Sequence, residues 1–298
     1  MKIYDCFQFF DEEMLLDLRL NIMDKFVDKF IITEATYMHN GKEKKLNFDI
    51  SKYSRFKDKI VYIVVKDQPP DLFEIYKTDN NKEDRRGQKL VLNGYKRDNY
   101  QRQMAASSLK NIELDDWIII NDIDEIPDLK KVDFRKIQNK IVIFKQKMFY
   151  YKFNLLYPGV PWYGSKACRK KDFISPQWLR DLKHKKYPWW RLDIAFSKKK
   201  YNNILHINDG GWHFSNIKSA ADIEKKLLNY THHYEFEQSG LNIDDLNKKI
   251  SERKIIYDHG VDQREMKWKS NKTLNKEELT SLPDYLKENY IKYASWLE

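Results

Sequence analysis

Apolar residues in the first part of the chain alternate between short unbroken runs and stretches of helical period. Ile3 to Phe10 reads as a strand running into a loop, and Phe30-Ile31-Ile32-Thr33 as a second strand ending at Glu34. Between them Leu15, Leu18, Ile22 and Phe26 recur at helical spacing, which predicts an amphipathic helix over residues 12 to 25. Asp11 is its expected N-cap, with Glu12 and Glu13 at the positive end of the dipole. Asn40-Gly41 marks a turn, and Ile60 to Val65 gives a third strand stopped by Gln68-Pro69-Pro70. Residues 79 to 89 have no apolar period and read as a mobile loop, followed by a helix from Arg97 to Lys110. Further strands are predicted at Trp117-Ile118-Ile119-Ile120, Ile141-Val142-Ile143-Phe144 and Ile204 to Ile207. Helices are expected at 220 to 230, 243 to 253 and 276 to 294. Strands separated by helices and polar loops imply an α/β fold on a doubly wound sheet.

The run at 117 to 120 is short and apolar enough to be a strand buried on both faces. It is followed at once by Asn121-Asp122-Ile123-Asp124-Glu125-Ile126-Pro127. Three carboxylates thus sit past the carboxyl end of a core strand, the edge where open α/β sheets bind ligands. Acids packed so closely repel one another unless a cation or a hydrogen-bond network compensates. Asp-x-Asp after such a strand suits a divalent metal held against a diphosphate, whereas a solvated turn capping a helix is the plainer reading. A calcium loop fits less well, because Pro127 stands where that loop needs glycine. On the metal reading Asp124 is the candidate direct ligand, and Asp122 either ligates or orients a nucleotide ribose. His213, in Asp209-Gly210-Gly211-Trp212-His213-Phe214, is the candidate imidazole ligand. Hard oxygen ligands suit magnesium or manganese, and an imidazole favours manganese. The two glycines would let backbone approach a ligand, with Trp212 lining the site. His232-His233 reads as a helix-end pair, since adjacent helical residues do not face one another.

Composition sharpens this picture in three ways. Net charge is +10, from 55 basic and 45 acidic residues, which suits anionic partners. The basic runs Arg169-Lys170-Lys171, Lys183-His184-Lys185-Lys186 and Lys198-Lys199-Lys200 are interleaved with Trp178, Tyr187, Trp189 and Trp190 in a stretch, 146 to 200, that Pro158, Pro161, Pro176 and Pro188 keep irregular. We read that stretch as substrate-side architecture. No nucleic-acid-binding signature accompanies the charge, so no specific nucleic acid is expected. Only Cys6 and Cys168 are present, expected as reduced thiols. No signal peptide is expected at Met1-Lys2-Ile3-Tyr4-Asp5, and no stretch approaches the roughly 20 apolar residues of a membrane span. A soluble cytoplasmic chain is expected, with any membrane contact peripheral. P-loop, dinucleotide-binding, zinc-protease and nucleophile-elbow motifs are absent from the sequence. Two-carboxylate glycoside hydrolysis stays open, because carboxylate separation is invisible in a sequence.

Tyr4-Asp5-Cys6-Phe7, Leu15-Leu16-Asp17-Leu18-Arg19-Leu20 and Val27-Asp28-Lys29-Phe30-Ile31-Ile32-Thr33-Glu34-Ala35 resemble the opening of glycosyltransferase family 17. The likeness continues through Gly41, Leu46-Asn47-Phe48 and Asn99-Tyr100-Gln101-Arg102. It is strongest over Leu114 to Pro127, and closes with Gly211-Trp212-His213-Phe214-Ser215 and Lys226-Leu227. The animal member of that family transfers GlcNAc from UDP-GlcNAc. The resemblance implies a GT-A type fold, with a Rossmann-like nucleotide-binding mixed sheet flanked by helices, and inversion at the anomeric carbon. It carries Asp122 and Asp124 over as the metal and nucleotide site and makes His213 the third ligand. Glu125 becomes a support for the ligands or the acceptor, Arg102 a partner of the diphosphate, and Glu34 a lesser candidate for the nucleotide pocket. The animal enzyme is anchored in the Golgi membrane and region 146 to 200 matches little, so a bisected N-glycan product is not implied.

These readings combine into one domain over 1–298, with a nucleotide-sugar-binding half (1–145), an acceptor-side and metal-completing half (146–260) and a helical C-terminal extension (261–298). The expected activity is inverting, Mn2+- or Mg2+-dependent transfer of GlcNAc from UDP-GlcNAc to a hydroxyl of a glycan acceptor. UDP-galactose, UDP-glucose or a GDP sugar are the alternative donors, and a non-catalytic binder of anionic glycan or nucleic acid is the alternative class. For the catalytic base Asp209, Glu235, Asp258 and Glu125 are available, and Asp209 is preferred because it adjoins the Gly-Gly-Trp-His block.

Overall fold

The apolar runs become strands, and the most apolar of them lie at the centre of a sheet. In the computed structural model, which describes residues 1–76, 79, 85–185, 187–188, 190–194, 196–261 and 266–298, β1 (Ile3–Gln8) leads through α1 (Glu13–Met23) to β2 (Lys29–Ala35) and β3 (Ile60–Val65). α2 (Arg85–Gln103) precedes β4 (Trp117–Ile120), β5 (Glu125–Pro127), β6 (Ile141–Phe144), β7 (Lys147–Tyr150), β8 (Leu155–Leu156) and β9 (Lys166–Arg169). α3 (Pro176–Asp181), β10 (Ile204–Ile207) and β11 (Gly211–Ser215) follow. The chain ends with α4 (Ala220–Asn229), α5 (His233–Ser239), α6 (Ile243–Ser251), β12 (Asn275–Lys276) and α7 (Asp284–Glu288).

Seven strands form a mixed sheet in the order β10-β6-β9-β4-β1-β2-β3. β4, β1, β2 and β3 are parallel, while β9 runs antiparallel between β4 and β6. Side-chain alternation splits β4 between two cores. Trp117 and Ile119 join Leu15, Leu16 and Leu18 of α1, whereas Ile118 and Ile120 join Trp178 and Leu179 of α3. A second sheet, β12-β8-β7-β11-β5, pairs β11 antiparallel with β5, placing His213 opposite Glu125. A third core lies beneath this sheet, where Met148 and Tyr150 meet Ile223 and Leu227 of α4 and Leu246 of α6. Residues 121–124 are therefore the crossing from the first sheet to the second. The observed architecture is mixed α/β, with two sheets flanked by helices.

Some elements depart from expectation for identifiable reasons. Part of the loop expected at 79 to 89 lies outside the described residues, but 85–89 are helical: α2 starts twelve residues before the expected Arg97 and gives way to a 3-10 turn at Met104–Leu109. Its buried side is Gly87, Val91, Asn93, Gly94, Gln101 and Arg102, which leaves almost no apolar period to read. The C-terminal helix expected over 276 to 294 is broken into β12, a 3-10 turn, α7 and a second 3-10 turn. Pro283 lacks the N–H a continuous helix needs and instead stands at the start of α7. Asp11 does not cap α1; it pairs with Lys218, and Glu12 occupies the N-cap without a side-chain cap bond. Both cysteines are free and buried, as expected for reduced thiols. Cys6 on β1 and Cys168 on β9 have β4 between them.

Candidate active site where the two sheets meet

The acidic crossing is clamped from below and from the side. Arg19 of α1 is fully buried and makes a bidentate pair with Asp5 of β1, at 2.8 Å from Nε and 2.6 Å from Nη2. Its Nη1 donates 2.6 Å to the Glu125 carbonyl and 3.3 Å to that of Asp122, so α1 fixes the backbone of the motif. Arg180 of α3 holds the side chains. Its Nη2 donates to Asp122 Oδ2 at 2.6 Å and Glu125 Oε1 at 2.8 Å, and its Nη1 to Glu125 Oε2 at 2.6 Å. Arg102 reaches Asp122 Oδ1 at 3.0 Å from the other side and also bonds Asp98, one turn earlier in α2. Burial lowers the Arg180 pKa, but Asp122 and Glu125 outweigh it and hold the guanidinium charged. Burial raises that of Glu125, and Arg180 then His213 outweigh it in turn.

Asp124 is left facing a cavity of about 410 Å³. The walls come from the ends of β1 and β2, from α2, from the acidic crossing, from β11 and α4, and from residues 256–259. β11 delivers His213, whose Nε2 lies 3.6 Å from Asp124 Oδ1, while the Phe214 N–H donates 2.8 Å to the Asp124 carbonyl. The His213 ring stacks on Trp162 with centroids 4.6 Å apart, and its Nδ1 is buried without a hydrogen-bond partner among the described residues. Lys226 of α4 approaches Asp124 Oδ2 to 3.8 Å. Burial raises the Asp124 pKa, yet His213, Lys226 and Arg180 outweigh it and hold the carboxyl well below the usual range. Tyr150, Trp162, Tyr257 and His259 form an aromatic wall, and burial pushes His259 down to about 3.

Asp122, Asp124, His213 and Arg102 are thus brought together as expected, but not in equal roles. Each carboxylate oxygen of Asp122 is bonded to an arginine, whereas those of Asp124 are not. Among the described residues no group of three or more His, Cys, Asp or Glu side chains is placed to hold a metal. Of the groups that line the cavity, Asp124 and His213 are the carboxylate and imidazole that face each other across the end of the acidic crossing, 3.6 Å apart. That set fits a manganese or magnesium ion that completes its shell with substrate phosphates and water.

The remaining expected residues lie elsewhere. Asp209 sits in a separate cleft with Lys130, Lys131 and Trp212, and its carbonyl accepts from Lys131 at 2.7 Å. Trp212 and His213 are neighbours on a strand and point to opposite faces, which puts Trp212 in that second cleft too. The glycines serve the backbone rather than a ligand: at Gly211, φ +131°, a Cβ would meet Ile126 O and, at 2.8 Å, Pro127 Cα. Glu125 is buried and saturated by Arg180, Trp162 Nε1 at 2.5 Å and the Asp122 N–H at 2.9 Å. Glu34 pins the following loop to the sheet, accepting from Lys44, Asn47 N, Phe48 N and Tyr62. Asp258 accepts from Tyr157, Ser270 and the Gly260 N–H, which together outweigh burial and take it to about 2. Glu235 pairs with His232, itself beside His233 at the start of α5, and it does not line the cavity. The basic runs of 169–171, 183–185 and 198–200 stand outside the cavity wall; Lys186 and Trp189 lie outside the described residues.

Sequence reasoning gave no role in the site to Arg19, Arg180, Trp162, Glu12 or Lys226, although it placed Glu12 at the start of α1 and Arg19 and Lys226 within the family likeness. The local signal at Arg180 was a Ser175-Pro176 helix start, since its partners lie 55 and 58 residues away. Among the described residues no helix is long and apolar enough to cross a membrane. No curated protein matches the sequence significantly. Among solved structures the chain is similar to the crystal structure of HddC from Yersinia pseudotuberculosis, at 12% identity and a TM-score of 0.34, over 70% of this chain and 92% of that one. So loose a likeness bears on neither fold nor reaction. The model of glycosyltransferase family 17 matches residues 1–297, essentially the whole chain. The protein therefore belongs to glycosyltransferase family 17 and is a glycosyltransferase, acting on a sugar donor and an acceptor.

Proposed function

We propose that the protein is an inverting, metal-dependent glycosyltransferase that moves GlcNAc from UDP-GlcNAc to a hydroxyl of a glycan acceptor. The observation that carries this reading is the meeting of Asp124 and His213, 3.6 Å apart, at the carboxyl edge of the parallel strands. They are the residues that would hold a divalent ion. When bound, that ion supplies Lewis-acid stabilisation to a departing diphosphate. Asp122 acts through Arg102 and Arg180, keeping the acidic crossing in one conformation. The aromatic wall offers flat apolar faces to the rings of donor and acceptor, with Tyr and Trp polar tips for orientation.

Inversion requires a base for the acceptor hydroxyl within hydrogen-bond reach. Four carboxylates line the cavity among the described residues: Glu12, Asp98, Asp122 and Asp124. Asp98 and Asp122 are bonded to arginine, and Asp124 faces His213. Glu12 takes the place of Asp209 on this reading. Its Oε2 accepts the Phe10 and Asp11 N–H groups, while Oε1 has Lys218 only at 3.7 Å. Burial raises the Glu12 pKa, but Lys218 and Lys226 outweigh it and keep it ionised.

The test is release of nucleoside diphosphate from UDP-GlcNAc, UDP-galactose, UDP-glucose and GDP sugars, with manganese and with chelator. Turnover of UDP-GlcNAc that needs manganese and fails in Glu12→Gln supports the proposal. Preference for another donor revises the sugar. Failure of every donor to bind or turn over with metal present would sink the site assignment.

A further inference from the structure

Among the described residues, two basic side chains of the Lys and Arg type line the cavity, Arg102 and Lys226. They differ in how far the protein has already used them. Arg102 Nη1 donates to Gln177 Oε1 at 2.7 Å and to Asp98 at 3.3 Å, and Nη2 to Asp98 at 3.1 Å and Asp122 at 3.0 Å. Its terminal nitrogens are committed and its charge is faced by two carboxylates. Lys226 is different. Its side chain is 23% exposed, and its ion pair with Asp124, at 3.8 Å, is beyond hydrogen-bonding distance. Among the described residues none of its three N–H donors is used by the protein.

The backbone around Lys226 is well anchored. Ser219 caps α4 by accepting from the Asp222 N–H, and Ile223 and Leu227 bury the adjoining face in the core beneath the second sheet. The ammonium is thereby carried on a fixed helix to the same carboxylate that faces His213. A cation in a concave site with unspent donors is matched by an anion with several acceptor oxygens, which is what a diphosphate offers.

We propose that Lys226, rather than Arg102, binds the donor's diphosphate, and that through it the site holds a nucleoside diphosphate even when no metal is present. The inference rests on the reading of this cavity as the donor site. Lys226 then meets the phosphates directly, while Arg102 remains a positioning residue for Asp122.

Calorimetric titration of UDP and of uridine tests it, in chelator and again with manganese, on wild type, Lys226→Met and Lys226→Arg. In chelator, Lys226→Met weakens UDP by about tenfold or more, the worth of charge-assisted hydrogen bonds, and Lys226→Arg recovers part of the loss. Uridine binding is unchanged in both variants, which shows that the fold and the nucleoside contacts survive. If Lys226→Met binds UDP as tightly as wild type in chelator, or if wild type binds UDP only with manganese, the Lys226 inference is overturned while the site reading stands. If wild type binds no UDP under either condition, the site reading itself falls.

Discussion

Arg180→Met removes the guanidinium that ties Glu125 to Asp122 and leaves a linear apolar chain in its place. Glu125 is fully buried, keeping the N–H groups of Trp162 and Asp122 but losing its counter-charge. Asp122 is 35% exposed and retains Arg102, so most of the loss falls on Glu125. Breaking a buried pair from one side costs about 3–5 kcal/mol. At about 2 °C per kcal/mol for a chain of this length, the melting temperature should fall by about 6–10 °C at neutral pH. The pH dependence gives an independent check. In the wild type the folded pKa of Glu125 lies below its ordinary value, because Arg180 and His213 outweigh burial. Its stabilisation is complete above the unfolded pKa and is lost as pH falls through the folded one. Without Arg180, burial prevails, the folded pKa rises above the unfolded value, and the sign reverses: the variant gains stability on acidification. The gap between the two melting temperatures should therefore narrow from about pH 7.5 to about pH 5.5. Scanning calorimetry on both proteins reads this directly. A variant within about 2 °C of wild type at neutral pH, or a gap that stays constant on acidification, refutes the buried-clamp argument.

Gly164→Ala should destabilise by about 1–3 kcal/mol in denaturant unfolding, because its Cβ would fall on the Glu125 carboxylate and Trp162 Nε1. Asp124→Asn should cut metal-dependent turnover by on the order of 100-fold. Asp209→Asn, in the second cleft ahead of β11, should change it by no more than roughly twofold, and steady-state kinetics on the pair tells which cleft is catalytic. Burial, then His213 and Lys267, depress the His259 pKa to about 3, so the stability it contributes is present above its unfolded pKa and lost as pH falls. Its ring resonances should not titrate between about pH 8 and pH 5, and an NMR titration showing protonation in that range would contradict its burial.

Most of the large sheet was legible because its strands are runs of Ile, Val and Phe, but β9, with Lys-Ala-Cys-Arg and no such run, lies in the 146–200 stretch expected to be irregular. Ile60–Val65, Trp117–Ile120, Ile141–Phe144 and Ile204–Ile207 fall where their apolar runs predict. The second sheet was not legible. β8 and β12 are two residues each, and the other strands carry Glu125, Lys147 or His213, so neither alternation nor length separates them from loops. The same holds for α2, whose packed side is glycine, asparagine, glutamine and arginine. In the site, the sequence could place Asp122 and Asp124 after a buried strand and offer His213 as an imidazole, which the family likeness then made the third ligand. It could not show that Arg180 would return from 58 residues away to occupy Asp122, since that contact exists only in three dimensions. Nor could proximity in sequence distinguish Asp209 from His213. The turn through Gly210-Gly211, with Asp209 at φ 45°, and the two-residue strand period send them to different clefts.

The central claim is that Asp124 and His213 together form the metal and diphosphate site. Crystals grown with manganese and UDP address it most directly, by anomalous diffraction at the manganese edge. The account predicts a single strong peak bonded to Asp124 and His213, with diphosphate oxygens completing its shell and Asp122 still held by Arg102 and Arg180. Manganese bound elsewhere, or UDP seated in the cleft of Asp209 and Trp212, would contradict it.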